Sequence, residues 1–430
     1  MSSRTCLLFA VSFLALDCAG AGPAPPGPGH GRTPSIEGGI VERHSPTCRP
    51  RFPLEQGWLG GDAVYSVPLP DASGEQPTLW LFGDSFVGAP AATHRRGAAF
   101  VHNTVARSRC RADGRFEIDY FWREAEDGSP RAIFETGEAG RFFWPFDGVV
   151  FEGTLYVALV LVASAEAGAG GLPFEVLGVD LARIANPGDD PRRWRIETRP
   201  LSRAEGRVPA GAMLVEHGFL HLFGFLEWEG GRRPRFLARL SLDALRRFDA
   251  TLPGALEILR SDGRWIAGLE SHAPRILMED DATEMSVARE PGNGRLRAVY
   301  SFPYQGGAGI TGEPSAAVYT RTAERPEGPW SQPRVLFVVP DLGAETVAKL
   351  DPARRCYAAK AHPTFGTVER MVVTYACNLL VVGGEAPGAV MERLRERLEE
   401  YRPVVVSWPR PDPPGYERDA QPPTDSPPGS

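Results

Sequence analysis

Thr78-Leu-Trp-Leu-Phe82, running into Gly83-Asp84-Ser85, is a short apolar and aromatic segment with strand composition, and it returns four more times along the chain. The later copies are Thr154-Leu-Tyr-Val-Ala158, Phe219-Leu-His-Leu-Phe223, Leu296-Arg-Ala-Val-Tyr300 and Arg370-Met-Val-Val-Thr374, at intervals of roughly 65 to 77 residues. Gly74, Gly153, Gly218 and Gly294 precede four of them in turn-like contexts, and Gly366 stands a little further ahead of the fifth. Each copy therefore reads as the return strand of a hairpin. Partner strands are expected just upstream, at Trp58 to Leu69, Trp144 to Phe151, Ala210 to Val215, Thr283 to Arg289 and Cys356 to His362. Outer strands follow at Glu175 to Ile184, Phe236 to Leu242, Ser315 to Thr322 and Arg334 to Val339. A period this long suits a four-stranded blade, and five blades closing into a ring would leave no long open sheet edge. The expected fold is thus all-β, a five-bladed β-propeller, with an all-β sandwich as the alternative.

One helix is expected, from Pro387 to Tyr401, because Val390, Leu394 and Leu398 recur at four-residue spacing among Arg and Glu. Arg402-Pro-Val-Val-Val-Ser407 reads as a closing strand, and the Pro- and Asp-rich stretch after Pro409 as a disordered tail. The expected organisation is a signal peptide over 1–21, a linker over 22–49, the propeller over 50–409 and the tail over 410–430.

The signal expectation rests on Arg4, the apolar run Cys6 to Leu16 and the small residues that lead into the Pro/Gly tract Gly20 to Gly31. Cys18 is a candidate for lipidation, although Asp17 before it suits that processing poorly, and Ala19-Gly20-Ala21 offers soluble secretion instead. Export would carry Cys48, Cys110, Cys356 and Cys377 into an oxidising compartment, where three pairings are open. A hairpin centred on Gly366-Thr367 would set Cys356 directly opposite Cys377, within disulfide reach; two unpaired buried thiols are the alternative.

A net charge of −7, from 47 basic and 54 acidic residues, provides no basic field for nucleic acid or an anionic membrane surface. A polysaccharide fits better, with a monomer expected and membrane attachment only through Cys18. The chain carries no Gly-x-Ser-x-Gly, His-Glu-x-x-His, phosphate loop or Cys/His cluster, and Ala167-Gly-Ala-Gly-Gly171 lacks the helix a dinucleotide site requires, which disfavours redox, zinc and nucleotide chemistry. No cofactor is expected, and a structural calcium near the axis is left open.

In a ring of blades the inner strands converge, so acids remote in sequence meet around one channel. Glycoside hydrolysis needs that arrangement: one carboxyl protonates the leaving oxygen while another, ionised, acts as base or nucleophile. Asp62 in Trp58-Leu-Gly-Gly-Asp62, Asp147 in Phe143-Trp-Pro-Phe-Asp-Gly148 and Glu284 in Ala282-Thr-Glu-Met-Ser-Val287 are the candidate catalytic acids, with Glu284 preferred as proton donor. Trp58 and Trp144 are candidate sugar contacts, joined by Asp84, Asn103 beside His102, Lys360, His362 and Asn378. The plainer alternative makes the Asp residues turn caps, and His362 and Asn378 partners of backbone groups.

Gly57-Trp-Leu-Gly-Gly-Asp62, Leu79-Trp-Leu-Phe-Gly-Asp-Ser85, His102-Asn-Thr104, Phe143-Trp-Pro-Phe-Asp-Gly148 and Tyr357-Ala-Ala-Lys-Ala-His-Pro363 together resemble the family catalogued as domain of unknown function 4185. The resemblance spans about Trp58 to Asn378 and implies a five-bladed propeller related to glycoside hydrolases, some bacterial members being endo-D-arabinanases. It places Asp62 and Asp147 at inner-strand acidic positions, with Asp84, Asn103, Lys360 and His362 on the same face. The third blade departs from the pattern, because Gly211-Ala-Met213 supplies no acid where related propeller hydrolases carry their proton donor. Either Glu284 substitutes, or the protein is a noncatalytic surface propeller that binds glycan or a protein partner.

Overall fold

The computed structural model describes residues 48–70, 77–164, 174–228, 232–301, 317–339, 354–379 and 387–411. The expected signal peptide, the lipidation candidate Cys18 and nearly all of the tail lie outside these residues. The repeat read from the sequence is the repeat of the fold, a five-bladed β-propeller with one C-terminal amphipathic helix. Thr78–Phe82, Thr154–Ser164, Phe219–Leu226, Leu296–Ser301 and Arg370–Leu379 are the second strands of five antiparallel sheets. Tyr65–Pro68, Arg141–Phe151, Arg207–Glu216, Met285–Arg289 and Arg354–Ala361 are their inner strands, and each lies against the inner strand of the next blade from the first to the fifth. The ring closes between the fifth blade and the first, where Phe365 and Val372 share one core with Trp58, Trp80 and Phe82. Full burial of side chains of this size stabilises the seam by about 2–3 kcal/mol each.

The first inner strand departs from the sequence reading, which ran it unbroken from Trp58 to Leu69. It is split: Trp58–Gly61 pairs with Ser85–Val87 in a separate three-stranded sheet, and only from Tyr65 does the chain enter the blade. The break falls at Asp62-Ala63, where Ala63 holds φ +52°, outside the range of a strand. Fourth strands in the second and third blades, at Ile196–Ser202 and Glu257–Leu259, were not expected, because their sequences are interrupted by polar residues.

The helix is shorter than expected, Pro387–Glu396, with Val390 and Leu394 buried on its inner face. Arg95 sets its end. This fully buried guanidinium donates to the carbonyls of Leu394 and Arg397 at 2.7 Å, to Glu400 at 2.5 Å, and to Leu59 at 2.6 Å. A cation over the last carbonyls satisfies groups that a helix terminus leaves unpaired, and it ties the helix to the sheet that begins at Trp58.

Cys356 pairs with Cys377 as the hairpin register required, and Cys48 bonds Cys110, fastening the N-terminal segment to the first blade. No helix among the described residues is long and apolar enough to cross a membrane.

Candidate active site

The inner strands lose their register near the channel in three blades: between Pro145 and Gly148 in the second, Val208 and Ala212 in the third, and Tyr357 and Lys360 in the fifth. A bulge re-aims the side chains beside it, so a strand that otherwise alternates can turn consecutive polar groups toward one place. Asp147 sits on the second-blade bulge, and Tyr357 and Lys360 bracket the fifth.

Lys360 marks the point of convergence. Its buried ammonium lies over the Tyr65 ring, 4.3 Å from the centroid, and donates to the Ala358 carbonyl at 2.8 Å. Burial pulls it down to about 8, against the charges of Glu284, Asp62 and Asp147, which all reach it and favour its cationic form. Three acids remote from one another in sequence thus act on one buried cation.

The acids are held differently. Asp62 accepts from the Tyr357 hydroxyl at 2.5 Å across the seam of the ring. Burial pushes its carboxyl up to about 7, helped by the charges of Asp84 and Glu284 and opposed by hydrogen bonds from Tyr357 and Tyr401. Asp147 accepts the backbone N–H of Gly148 on one oxygen and that of Met213, in the next blade, on the other, both at 2.8 Å. Burial raises it as well to about 7, despite those two N–H groups and the Lys360 charge. Carboxyls displaced to neutrality can gain and lose protons at working pH. Glu284 is partly exposed and accepts a short hydrogen bond from Thr283 Oγ1.

The third blade contributes no acid. Gly211 has φ +149°, and a Cβ there would come within 2.5 Å of the Phe223 carbonyl and 3.0 Å of Arg235 Nη1. The carbonyl of Gly211 accepts from the Tyr65 hydroxyl at 2.9 Å. Arg235 is buried behind it, donating to the carbonyls of Thr283 at 3.0 Å and Glu284 at 3.3 Å. Burial lowers this guanidinium to about 10, and the nearby Tyr65 and Glu284 act to keep it charged. Sequence reading missed Tyr65, Tyr357 and Arg235, since a tyrosine or arginine in a strand carries no signature of facing an axis.

Asp84 serves as a bridge. Its Oδ1 accepts from Trp144 Nε1 and shares a hydrogen bond with His102 Nδ1, each at 3.0 Å. Those contacts fix two partly exposed rings, with His102 stacked on Phe142 at 3.6 Å and Trp144 edge-on to Phe174 at 4.8 Å. An aromatic shelf is thereby set beside the acids.

Four expected contacts stand elsewhere. Trp58 is wholly buried, stacked on Tyr120 at 4.5 Å with its Nε1 donating to Thr104, so its indole has no free face for a sugar. Asn103 is fully buried and bonded to the backbone of Phe134 and Phe143. His362 lies between Ser66 and Thr374, both at 2.7 Å, and burial takes it down to about 3, which keeps it neutral as a link in the ring closure. Asn378 is buried and its Oδ1 accepts the N–H of Leu379. Asn103 and Asn378 thus serve backbone groups, His362 two side-chain hydroxyls and Trp58 the core. Among the described residues no group of three His, Cys, Asp or Glu is arranged to hold a metal ion.

A cavity of ≈ 370 Å³ opens beside this group, lined by Tyr65, Asp147, Met213, Val287, Lys360 and His362 among others.

Comparison with known proteins bears mainly on the fold. The matching family model, over residues 52–247, is "Domain of unknown function (DUF5005)", which corrects the resemblance to family 4185. It covers the first two blades and most of the third. No curated protein matches the chain. A crystal structure from Bacteroides ovatus, provisionally described as a hydrolase, is 16% identical over 82% of this chain and 86% of its own, with a TM-score of 0.57. An endo-arabinase from Bacteroides thetaiotaomicron is 13% identical over 84% of this chain and 98% of its own, at 0.39. An α-L-arabinofuranosidase from Lactobacillus brevis is 12% identical over 82% and 90%, at 0.41.

Proposed function

We propose that the protein is an exported glycoside hydrolase acting on a polysaccharide of arabinan type, with Asp62 as base or nucleophile and Glu284 as proton donor. The observation that carries this reading is that Asp147 and Lys360 line one cavity and Asp62 is bonded to Tyr357 on the Lys360 strand, while the charges of Asp62, Asp147 and Glu284 all act on the Lys360 ammonium. Two raised carboxyls, Asp62 and Asp147, acting on one cation are typical of acid–base sites. Both oxygens of Asp147 are taken by backbone N–H groups, which fix its orientation and leave it poorly placed to meet a departing oxygen. Glu284 is left as the donor to the departing glycosidic oxygen, while Asp62 attacks the anomeric carbon or activates the water that does. The shelf of Phe142, Trp144 and Phe174 supports stacking on the apolar face of a sugar ring. The two disulfides support export to an oxidising compartment.

The test is release of reducing ends from arabinan and arabinogalactan panels by the full chain. Asp62→Asn is expected to lower that rate by about 10²- to 10⁴-fold. Absence of product from every glycan, with glycan binding untouched in Asp62→Asn, would sink the reading. A second reading, a noncatalytic glycan-binding propeller, is favoured by the missing third-blade acid at Gly211; it predicts retention of a glycan without turnover.

A further inference from the structure

We propose that Tyr357 is a positioning residue for Asp62, whose hydroxyl fixes the carboxylate across the seam of the ring and favours its ionised form. Its catalytic meaning rests on the glycosidase reading; its physical content does not.

The geometry is unusual for a strand residue. Tyr357 is buried, and its hydroxyl meets Asp62 Oδ2 at 2.5 Å although 295 positions separate the two residues. Ala358, the next residue, has φ +59° within the bulge, a conformation that non-glycine residues adopt only when their surroundings enforce it. Two restraints enforce it here: the Ala358 carbonyl is held by Lys360 Nζ, and Cys356 on the other side of Tyr357 is bonded to Cys377. The hydroxyl is thus fixed by its own strand before it meets the acid. On the far side of the carboxylate, Gly83 leaves space that a side chain would close, since a Cβ there would stand 2.6 Å from Oδ1. The carboxylate is held on Oδ2 by Tyr357, with only a glycine standing against Oδ1 on that side.

The strongest influences on Asp62 come from groups on four segments packed around it. Asp84 from its own blade and Glu284 from the fourth disfavour its ionisation, as does burial; Tyr357 and Tyr401 donate to the ionised form, and the Lys360 cation attracts it. Tyr357 is the stronger of the two hydroxyl donors. Deleting it leaves the opposing effects in place, and the acid turns neutral at a pH where a base must be charged.

The experiment is a carboxyl ¹³C titration of the full chain with labelled aspartate, the Asp62 resonance being assigned by its loss in Asp62→Asn. Tyr357→Phe is expected to raise the Asp62 midpoint by about one pH unit, the scale of one hydrogen bond to a charged group. Asp147, bonded to Met213 and Gly148, serves as internal reference and should not move. An unchanged or lowered Asp62 midpoint, or equal movement of both acids, overturns the proposal. Should Tyr357→Phe fail to fold, the wild type still decides: the Tyr357 Cζ resonance must inflect at the Asp62 midpoint, and a flat response overturns it. If a hydrolysed glycan is in hand, the acid limb of kcat/KM in Tyr357→Phe should rise by the same interval. Lack of hydrolysis would strike the glycosidase reading and leave the titration result standing.

Discussion

The axis and the outer part of the fourth blade both bury carboxylates, and they treat them in opposite ways. In the fourth blade Glu290 meets Arg297 at 2.6 Å and Arg410 at 2.9 Å, with Asn293 at 3.2 Å, while Asp280 meets Arg321 and accepts from the Tyr300 hydroxyl at 2.7 Å. Burial works to raise Glu290, but its guanidinium partners win and hold it below the usual carboxylate range. At the axis no guanidinium among the described residues pairs with Asp62 or Asp147. They receive a phenol or backbone N–H groups and share one lysine, and burial carries both up to about 7. An acid given guanidinium partners is neutralised locally, whereas one given only a phenol or backbone N–H groups is left short of compensation.

The largest expected effect tests the structural half of that contrast. Glu290→Ala would strand Arg297 and Arg410 without their anion and should cost about 3–5 kcal/mol in denaturant unfolding. A loss under about 1 kcal/mol would show that this cluster behaves as a surface pair.

The pH dependence of stability should differ in sign between the two regions. Asp62 and Asp147 are raised from 3.8 to about 7, so the folded chain binds protons more tightly than the unfolded one. Stability then falls as pH rises from about 4 to about 7, by on the order of 1–2 kcal/mol per group once partial solvent screening is allowed for. Glu290 is lowered from 4.5, so its contribution is present above that value and is lost as pH falls through the folded pKa. Urea unfolding across this range should flatten above pH 4 in the double variant Asp62→Asn, Asp147→Asn; an unaltered slope would refute the assignment.

Two smaller effects sharpen the axial half. Gly83→Ala would press a methyl against Asp62 Oδ1 and should cost about 1 kcal/mol in stability. Lys360→Met keeps the bulk and removes the cation, and should raise the Asp147 midpoint by roughly half a unit in the carboxyl titration. A fall would mean that the ammonium does not reach that acid.

The Cys356–Cys377 bond shows why much of the fold was legible. Its partners face each other across one hairpin, so counting residues from Gly366 was enough. Cys48–Cys110 joins segments whose approach depends on the first blade as a whole, and the sequence left that pairing open. The candidate site divides in the same way. Asp62, Asp147, Glu284 and Lys360 could be picked out as polar residues in apolar strands. Trp58 and His362 carry the same signal yet serve the core and the ring closure, because composition does not reveal which side of a bulge a residue takes.

By itself the sequence determined the period, the hairpins and hence the propeller, since strand composition and turn residues act within a few residues of one another. Only the tertiary structure decided which acids act on Lys360, that the Tyr357 hydroxyl holds Asp62, and that the backbone at Gly211 has no room for a side chain. Those facts come from bulges and from contacts between blades hundreds of residues apart, where through-space distance, and not sequence distance, sets the energy of a charge.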